Sequence, residues 1–127
     1  MNGVPVRIAL GEASLRTAVL LAVLIACNLL FNVIANAGFK YSAMSGNWRG
    51  FLTWQVVGNV AGFITVLTLT GLLRYLPLHV AYPLTAGLAV IGVQIVAARW
   101  LFQETISTGE WAGAILVVLG IVLIGRG

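Results

Sequence analysis

The chain alternates long apolar runs with short polar stretches, and this pattern predicts four helices. The runs cover approximately residues 17–41, 51–73, 78–102 and 110–124. Apolar segments of about 20 residues are long enough to cross the hydrocarbon of a bilayer as helices. No segment of about ten residues alternates apolar and polar positions, as the strands of a membrane barrel do. We therefore expect an all-α membrane protein with four transmembrane helices, forming one domain over residues 1–127.

The first apolar run carries a regularly spaced polar stripe. Asn28, Asn32 and Asn36 lie four residues apart, and Lys40 continues the spacing. On a helix of about 3.6 residues per turn, these four side chains share one slowly winding face. A carboxamide is costly in hydrocarbon unless it finds a partner or water. The stripe is therefore predicted to face other helices or a cavity, and not lipid.

Further polar positions in the second and third runs are candidates for the same cavity. Gln55 and Asn59 lie four residues apart, and Tyr82 and Thr85 lie near the start of the third run. Five carboxamides favour a wet cavity, because a dry core seldom needs so many. In the alternative interpretation, the asparagines hydrogen-bond between helices, at about 0.6 to 2 kcal/mol each. Tyr82 equally fits an interfacial role, and Lys40 fits either a snorkelling anchor or a phosphate contact.

Composition supports the membrane class and limits the possible partners. Hydrophobic residues make up 61% of the chain and charged residues 8%, with a mean hydropathy of +1.06. A soluble domain carries about 25% charged residues. The formal net charge of +4 does not indicate nucleic-acid binding, because the basic residues are scattered near predicted helix ends. Charge leaves the orientation open, with Arg7, Arg16, Arg74 and Arg126 on one side and Lys40, Arg49 and Arg99 on the other.

The sequence contains no motif for hydrolysis, redox chemistry or metal binding. Gly-x-Ser-x-Gly, HExxH, CxxC and P-loop patterns are all missing, and Cys27 and His79 are each alone. We therefore expect no enzyme activity, no cofactor and no metal site. The acidic residues lie at predicted helix ends, and Glu104 is expected either to cap the fourth helix or to pair with Arg99.

Three segments resemble half-size, four-helix members of the drug/metabolite transporter superfamily. They read NVIANAGFKYSA from residue 32, RYLPLHVAYPLTAG from residue 74 and GAILVVLGIVLIG from residue 113. The first two segments resemble the small multidrug resistance transporters, with Lys40 at the position of their loop lysine. The third segment is similar to their dimerisation motif in helix four. Small residues at such spacing let helices approach closely, and the face in question carries Gly113, Val117 and Gly120.

One position departs from the small multidrug resistance pattern. Those exporters carry a membrane-embedded Glu in helix one, and the resemblance aligns it with Asn32. Asn cannot titrate, which disfavours proton-coupled cation antiport by that route. The C-terminal half of the chain, with Trp100, Glu104 and Trp111, bears a closer resemblance to the subunits that flip aminoarabinose-phosphoundecaprenol and to EamA-type halves.

The resemblance and the polar stripe together predict a transporter or flippase subunit of the inner membrane. The expected substrate is an amphipathic lipid, such as a polyprenyl-phosphate-linked sugar. Its head group would meet the asparagine stripe and its phosphate would meet Lys40. The expected partners are membrane lipid and a similar four-helix chain, as homodimer or heterodimer, and not nucleic acid. Two alternatives remain open: an exporter of quaternary cations, and an accessory subunit that does not transport.

Overall fold

The computed structural model describes residues 15–126, and it consists of four helices joined by short connections. All four are long and apolar enough to span a membrane. This confirms the predicted all-α fold with four membrane-spanning helices. Arg7 and Glu12 lie outside the described residues. The helices are α1 (Leu15–Met44), α2 (Trp48–Leu72), α3 (Leu78–Gly92, continuing as a π-helical segment over Val93–Leu101) and α4 (Thr108–Arg126).

Side-chain caps set the starts of α2 and α4 earlier than hydropathy alone predicts. The side-chain oxygen of Asn47 accepts a hydrogen bond from the Gly50 N–H at 2.7 Å, so α2 begins at Trp48 and not near residue 51. Ser107 and Glu110 form a reciprocal capping box, in which each side chain accepts the other's backbone N–H at 3.2 Å. This corrects the expectation that Glu104 caps the fourth helix.

Helices α1 and α2 pack along each other through small residues. The buried positions on this seam include Ala35 and Gly38 of α1 and Gly58 and Ala61 of α2. The two glycines oppose each other, because a β-carbon built on Gly38 would lie 3.2 Å from the Gly58 Cα. Lipid tails are as apolar as the side chains, so close backbone packing, and not apolar burial, holds such helices together.

A compact apolar cluster closes one end of the bundle. It joins Leu21 of α1, Leu72 of α2, Leu76 of the turn that follows α2, and Ala81 of α3. Leu72 and Ala81 are completely buried. This end of the bundle carries the start of α1.

Helix α4 is attached mainly through α3. Gly87 of α3 leaves room for Ile121 and Val117 of α4, which pack against it. Within α4 the buried residue is Ala114, and most of the large apolar side chains are exposed. Val117, predicted as part of a dimerisation face, therefore contacts α3 of its own chain. Gly113 and Gly120 of the same predicted face have open space beside them, since a β-carbon built on either would meet no atom within 4 Å.

The third membrane span changes its winding halfway. The pattern predicts one helix over residues 78–102, kinked at Pro83, but no change of winding; the segment Val93–Leu101 is π-helical. Its last turn closes through the Phe102 N–H, which donates to the Ala97 carbonyl at 2.9 Å. Gln103 follows with φ 54°, in the left-handed region. Widened turns of this kind often accompany functional sites.

Candidate functional site

An open groove of about 530 Å³ lies between α1 and the third span. This volume falls within the range of about 300–1,000 Å³ that is typical of ligand pockets. The walls are apolar except for three carboxamides, two from α1 and one from the π-helical segment. The lining residues are Asn32, Asn36, Ala86, Ala89, Val90, Val93, Gln94 and Ala98.

Asn28, the first residue of the polar stripe, joins two helices. Its side chain is only 3% exposed, and its Nδ2 donates to the Thr65 carbonyl and to Thr68 Oγ1, both at 3.0 Å. Thr68 Oγ1 in turn donates to the Thr65 carbonyl at 2.8 Å. Asn28 is therefore engaged between α1 and α2, and not in the groove.

Asn32 and Asn36 present acceptor oxygens to the groove. Asn32 Nδ2 donates to the backbone carbonyl and to Oδ1 of Asn28, at 3.1 and 3.0 Å. Asn36 Nδ2 donates to the Asn32 carbonyl at 2.8 Å. These bonds occupy both N–H groups of the Asn32 amide and one of the two on Asn36, while the Oδ1 atoms of both residues accept no hydrogen bond from residues 15–126. The α1 wall of the groove thus offers carbonyl oxygens to a ligand rich in donors.

Gln94 supplies the polar group on the opposite wall. It belongs to the π-helical segment, and its Nε2 lies 3.5 Å from the Glu110 carbonyl oxygen of α4. Our prediction of site residues does not include it. One signal for Gln94 is present in the sequence, namely an amide side chain in the middle of an otherwise apolar stretch. The spacing between Gln94 and Thr85, however, does not indicate that the two residues line the same surface of the helix.

The other predicted lining residues lie elsewhere. Asn59 is exposed on α2 and donates to the Gln55 carbonyl at 2.7 Å, while Gln55 Nε2 donates to Ser42 Oγ at 3.2 Å. Thr85 is buried, with its hydroxyl donating to the Ala81 carbonyl at 3.0 Å. Tyr82 is 58% exposed. The structure thus brings Asn32 and Asn36 together with Gln94, and it leaves the α2 amides outside the groove.

A charged cluster lies one helical turn beyond Asn36. Lys40 Nζ lies 3.4 Å from a carboxylate oxygen of Glu104, and the same ammonium lies 6.0 Å from the centroid of the Phe102 ring. Tyr41 packs on Phe102 and Trp54, with ring centroids 5.0 and 4.7 Å apart. Lys40 lies within α1, as predicted, but one expectation is corrected: Glu104 pairs with Lys40 and not with Arg99.

Removing the Asn28 side chain is expected to weaken the bundle modestly. Asn28→Ala loses the two hydrogen bonds to α2, so the free energy of unfolding should fall by about 1 kcal/mol. Unfolding in detergent micelles with increasing denaturant measures this change. Asn59→Ala is the matched control, because its carboxamide is exposed and bonds within its own helix. Equal losses for the two variants would contradict the joining role of Asn28.

The relatives of this chain among known proteins include the following three. The chain is 37% identical over 78 residues to the uncharacterized protein y4nH of Sinorhizobium fredii. The aligned segment covers 61% of this chain and 66%, just under two thirds, of that protein. The chain is 34% identical over 84 residues to the probable 4-amino-4-deoxy-L-arabinose-phosphoundecaprenol flippase subunit ArnE of Erwinia tasmaniensis, covering 66% of this chain and 76% of that one. The ArnE subunit of Pseudomonas fluorescens is 33% identical over 82 residues, covering 65% of this chain and 68% of its own.

Two further comparisons, with models of protein families and with solved structures, found no match. The relatives and the four spans agree with the predicted multi-pass protein of the inner membrane.

Proposed function

We propose that this chain moves a lipid-linked sugar across the inner membrane. The chain belongs to the family of the ArnE flippase subunits, within the drug/metabolite transporter superfamily. Membership of this family makes it a membrane transporter or flippase subunit. The substrate we propose is amphipathic, with a polyprenyl tail, a phosphate and a sugar head group. The names of the ArnE relatives describe such a lipid, and the chemistry of the groove supports it.

The observation that carries this proposal is the uncharged, hydrogen-bonding groove between α1 and the third span. Sugar hydroxyls donate hydrogen bonds, and the Oδ1 atoms of Asn32 and Asn36 are acceptors without partners among the described residues. Apart from Gln94, the remaining lining residues are alanine and valine, which suit contact with a polyprenyl chain. An open groove lets the tail stay in lipid while the head group moves along the carboxamides.

We further propose that Lys40 contacts the phosphate. It follows Asn36 by one turn on the same helix, and its side chain is 47% exposed. A lysine ammonium is a flexible point charge, which suits a phosphate that arrives from several directions. A lipid with its sugar at Asn32 and Asn36 would therefore place its phosphate towards Lys40.

A second four-helix chain completes this proposal. The groove is open, and most of the large apolar side chains of α4 are exposed in the single chain. Open space beside Gly113 and Gly120 would allow the close approach of a partner helix. We propose a homodimer, or a heterodimer with a similar chain, in which the partner covers the groove.

The test is lipid translocation by reconstituted protein carrying Asn32→Leu. Losing one acceptor for the head group should lower the rate about tenfold, which corresponds to about 1.4 kcal/mol. The assay follows a polyprenyl-phosphate sugar from the inner to the outer leaflet of liposomes. Asn59→Leu is the matched control, because it removes the same group from an exposed position outside the groove.

The same assay separates the proposal from its alternatives. An unchanged rate in Asn32→Leu would remove the groove from the mechanism. Uptake of a quaternary ammonium driven by a pH gradient would instead favour a cation exporter. If no transport is measured either for the chain alone or for the chain together with a similar chain, the result would favour an accessory subunit.

A further inference from the structure

We propose that Glu104 is an internal competitor for an anion subsite at Lys40, and that it thereby weakens the binding of anionic substrates at this position. This inference rests on the proposed function only in placing the lipid in the groove. In the structure the Glu104 carboxylate occupies the position at Lys40 that a substrate phosphate would take. A substrate must displace it in order to bind fully.

The geometry ties Glu104 to the groove as well as to Lys40. Its backbone N–H donates to the carbonyl of Ala98, a groove-lining residue, at 2.8 Å. Its carboxylate reaches across to Lys40 at 3.4 Å. Lys40 stands one turn beyond Asn36, the lining residue on the opposite wall. The ion pair therefore spans the end of the groove, with one partner fixed to each wall.

The ion pair is weak enough to be exchanged. Both side chains are 47% exposed, and an exposed pair of this kind is readily screened by salt and water. The phosphodiester of a polyprenyl-linked sugar carries one negative charge, as a carboxylate does, and it would reach Lys40 together with the head-group contacts at Asn32 and Asn36. Phe102 lies beside the ammonium in either case. A phosphate can thus take over Lys40, whereas an uncharged head group cannot.

Glu104 would then act on substrate binding in two ways. It holds Lys40 when no anion is present, so an uncharged lipid gains nothing at this position. It also stands close to a bound phosphate as a like charge, which lowers the affinity for every anion by a similar factor. Removing the carboxylate should therefore strengthen phosphate binding and leave the binding of a neutral lipid unchanged.

The test uses the fact that Lys40 is the only lysine of the chain. Reductive methylation with ¹³C-formaldehyde keeps the positive charge and gives one side-chain signal in NMR spectra, apart from the α-amino group. Lys40→Arg, which loses the signal, assigns it. Titration in micelles with farnesyl phosphate, and with farnesol as the uncharged probe, then gives a Kd for each variant.

Glu104→Gln is expected to shift the Lys40 signal before any ligand is added, and to lower the Kd for farnesyl phosphate about two- to fivefold. The Kd for farnesol should not change. Glu110→Gln is the matched control, because it removes a carboxylate at the same end of the bundle. Gln keeps the capping box of α4 intact, so this variant should bind both probes as the wild type does.

Several results would overturn the inference. Farnesyl phosphate that leaves the Lys40 signal unmoved in both wild type and Glu104→Gln would exclude an anion subsite. An unchanged Kd in Glu104→Gln, or an equal gain in Glu110→Gln, would exclude specific competition. Because binding is observed without transport, protein that binds as expected but moves no lipid would contradict only the proposed function.

Discussion

Gly38→Val is expected to lower the free energy of unfolding by about 2 to 3 kcal/mol, the largest loss we anticipate for a single substitution in this chain. A β-carbon on Gly38 would lie 3.2 Å from both Cα and N of Gly58, and 3.4 Å from the Trp54 carbonyl oxygen. All three atoms belong to the backbone of α2. They cannot rotate away as a side chain would, so the helices must move apart and lose packing along the seam.

The measurement is reversible unfolding in micelles, followed by helical circular dichroism and by tryptophan fluorescence. Gly62→Val is the matched control, since it makes the same change on α2, where a β-carbon would meet nothing within 4 Å. Its stability should stay within about 0.5 kcal/mol of the wild type. If Gly38→Val were as stable as Gly62→Val, the close approach of α1 and α2 would not exist in the membrane protein.

Ala89→Trp is expected to reduce translocation about twentyfold or more while the fold is retained, which corresponds to about 1.8 kcal/mol on the barrier. Ala89 lies on the α3 wall of the groove, facing the space that Asn32 and Asn36 line from α1. An indole in this position takes up room that the head group needs. The open side of the groove lets the ring enter without disturbing the α1–α2 seam.

Liposome translocation measures the effect, with far-ultraviolet circular dichroism as the check on folding. Ala43→Trp is the control, because Ala43 is exposed near the end of α1 and outside the groove. Tryptophan is well tolerated at the membrane interface. Transport at the normal rate by Ala89→Trp would show that the substrate takes another path.

The membrane spans could be predicted from the sequence because hydropathy alone determines them. Hydropathy alone places the starts of α2 and α4 too late, because the caps made by Asn47 and by the pair of Ser107 and Glu110 extend these helices beyond their apolar runs. The same capping motifs are visible in the sequence, so a prediction based on capping patterns would have placed α2 and α4 more closely. No local pattern marks the π-helical turns of the third span, which depend on packing between helices.

The site could be predicted only in part, because a spacing of four does not keep residues on one face. Each step of four residues turns about 40° around an α-helix of 3.6 residues per turn. Asn36 is therefore rotated by about 80° from Asn28, enough to leave the α2 seam and to enter the groove beside the third span. The periodicity indicates a polar stripe, but the neighbours that divide it are determined by the tertiary structure.

The partners of charged and polar groups were the least predictable feature. Glu104 has Arg99 close by in the chain, yet it pairs with Lys40 from a different helix. Gln55 and Asn59 have the same spacing as the α1 asparagines, but they lie outside the groove. Sequence distance ranks the neighbours of a residue on its own helix, and it carries no information about which helix lies opposite.

The wide turns between Val93 and Leu101 also affect how this chain is compared with its relatives. A π turn closes from residue i to i+5, so it holds one more residue than an α turn over the same stretch. A homologue wound as a plain α-helix would need a deletion here to keep Glu104 in register with Pro83. Without that gap, an alignment would pair residues after Leu101 that point in different directions around the helix axis. A short gap inside this span is therefore a difference in winding, and it does not mark a loop.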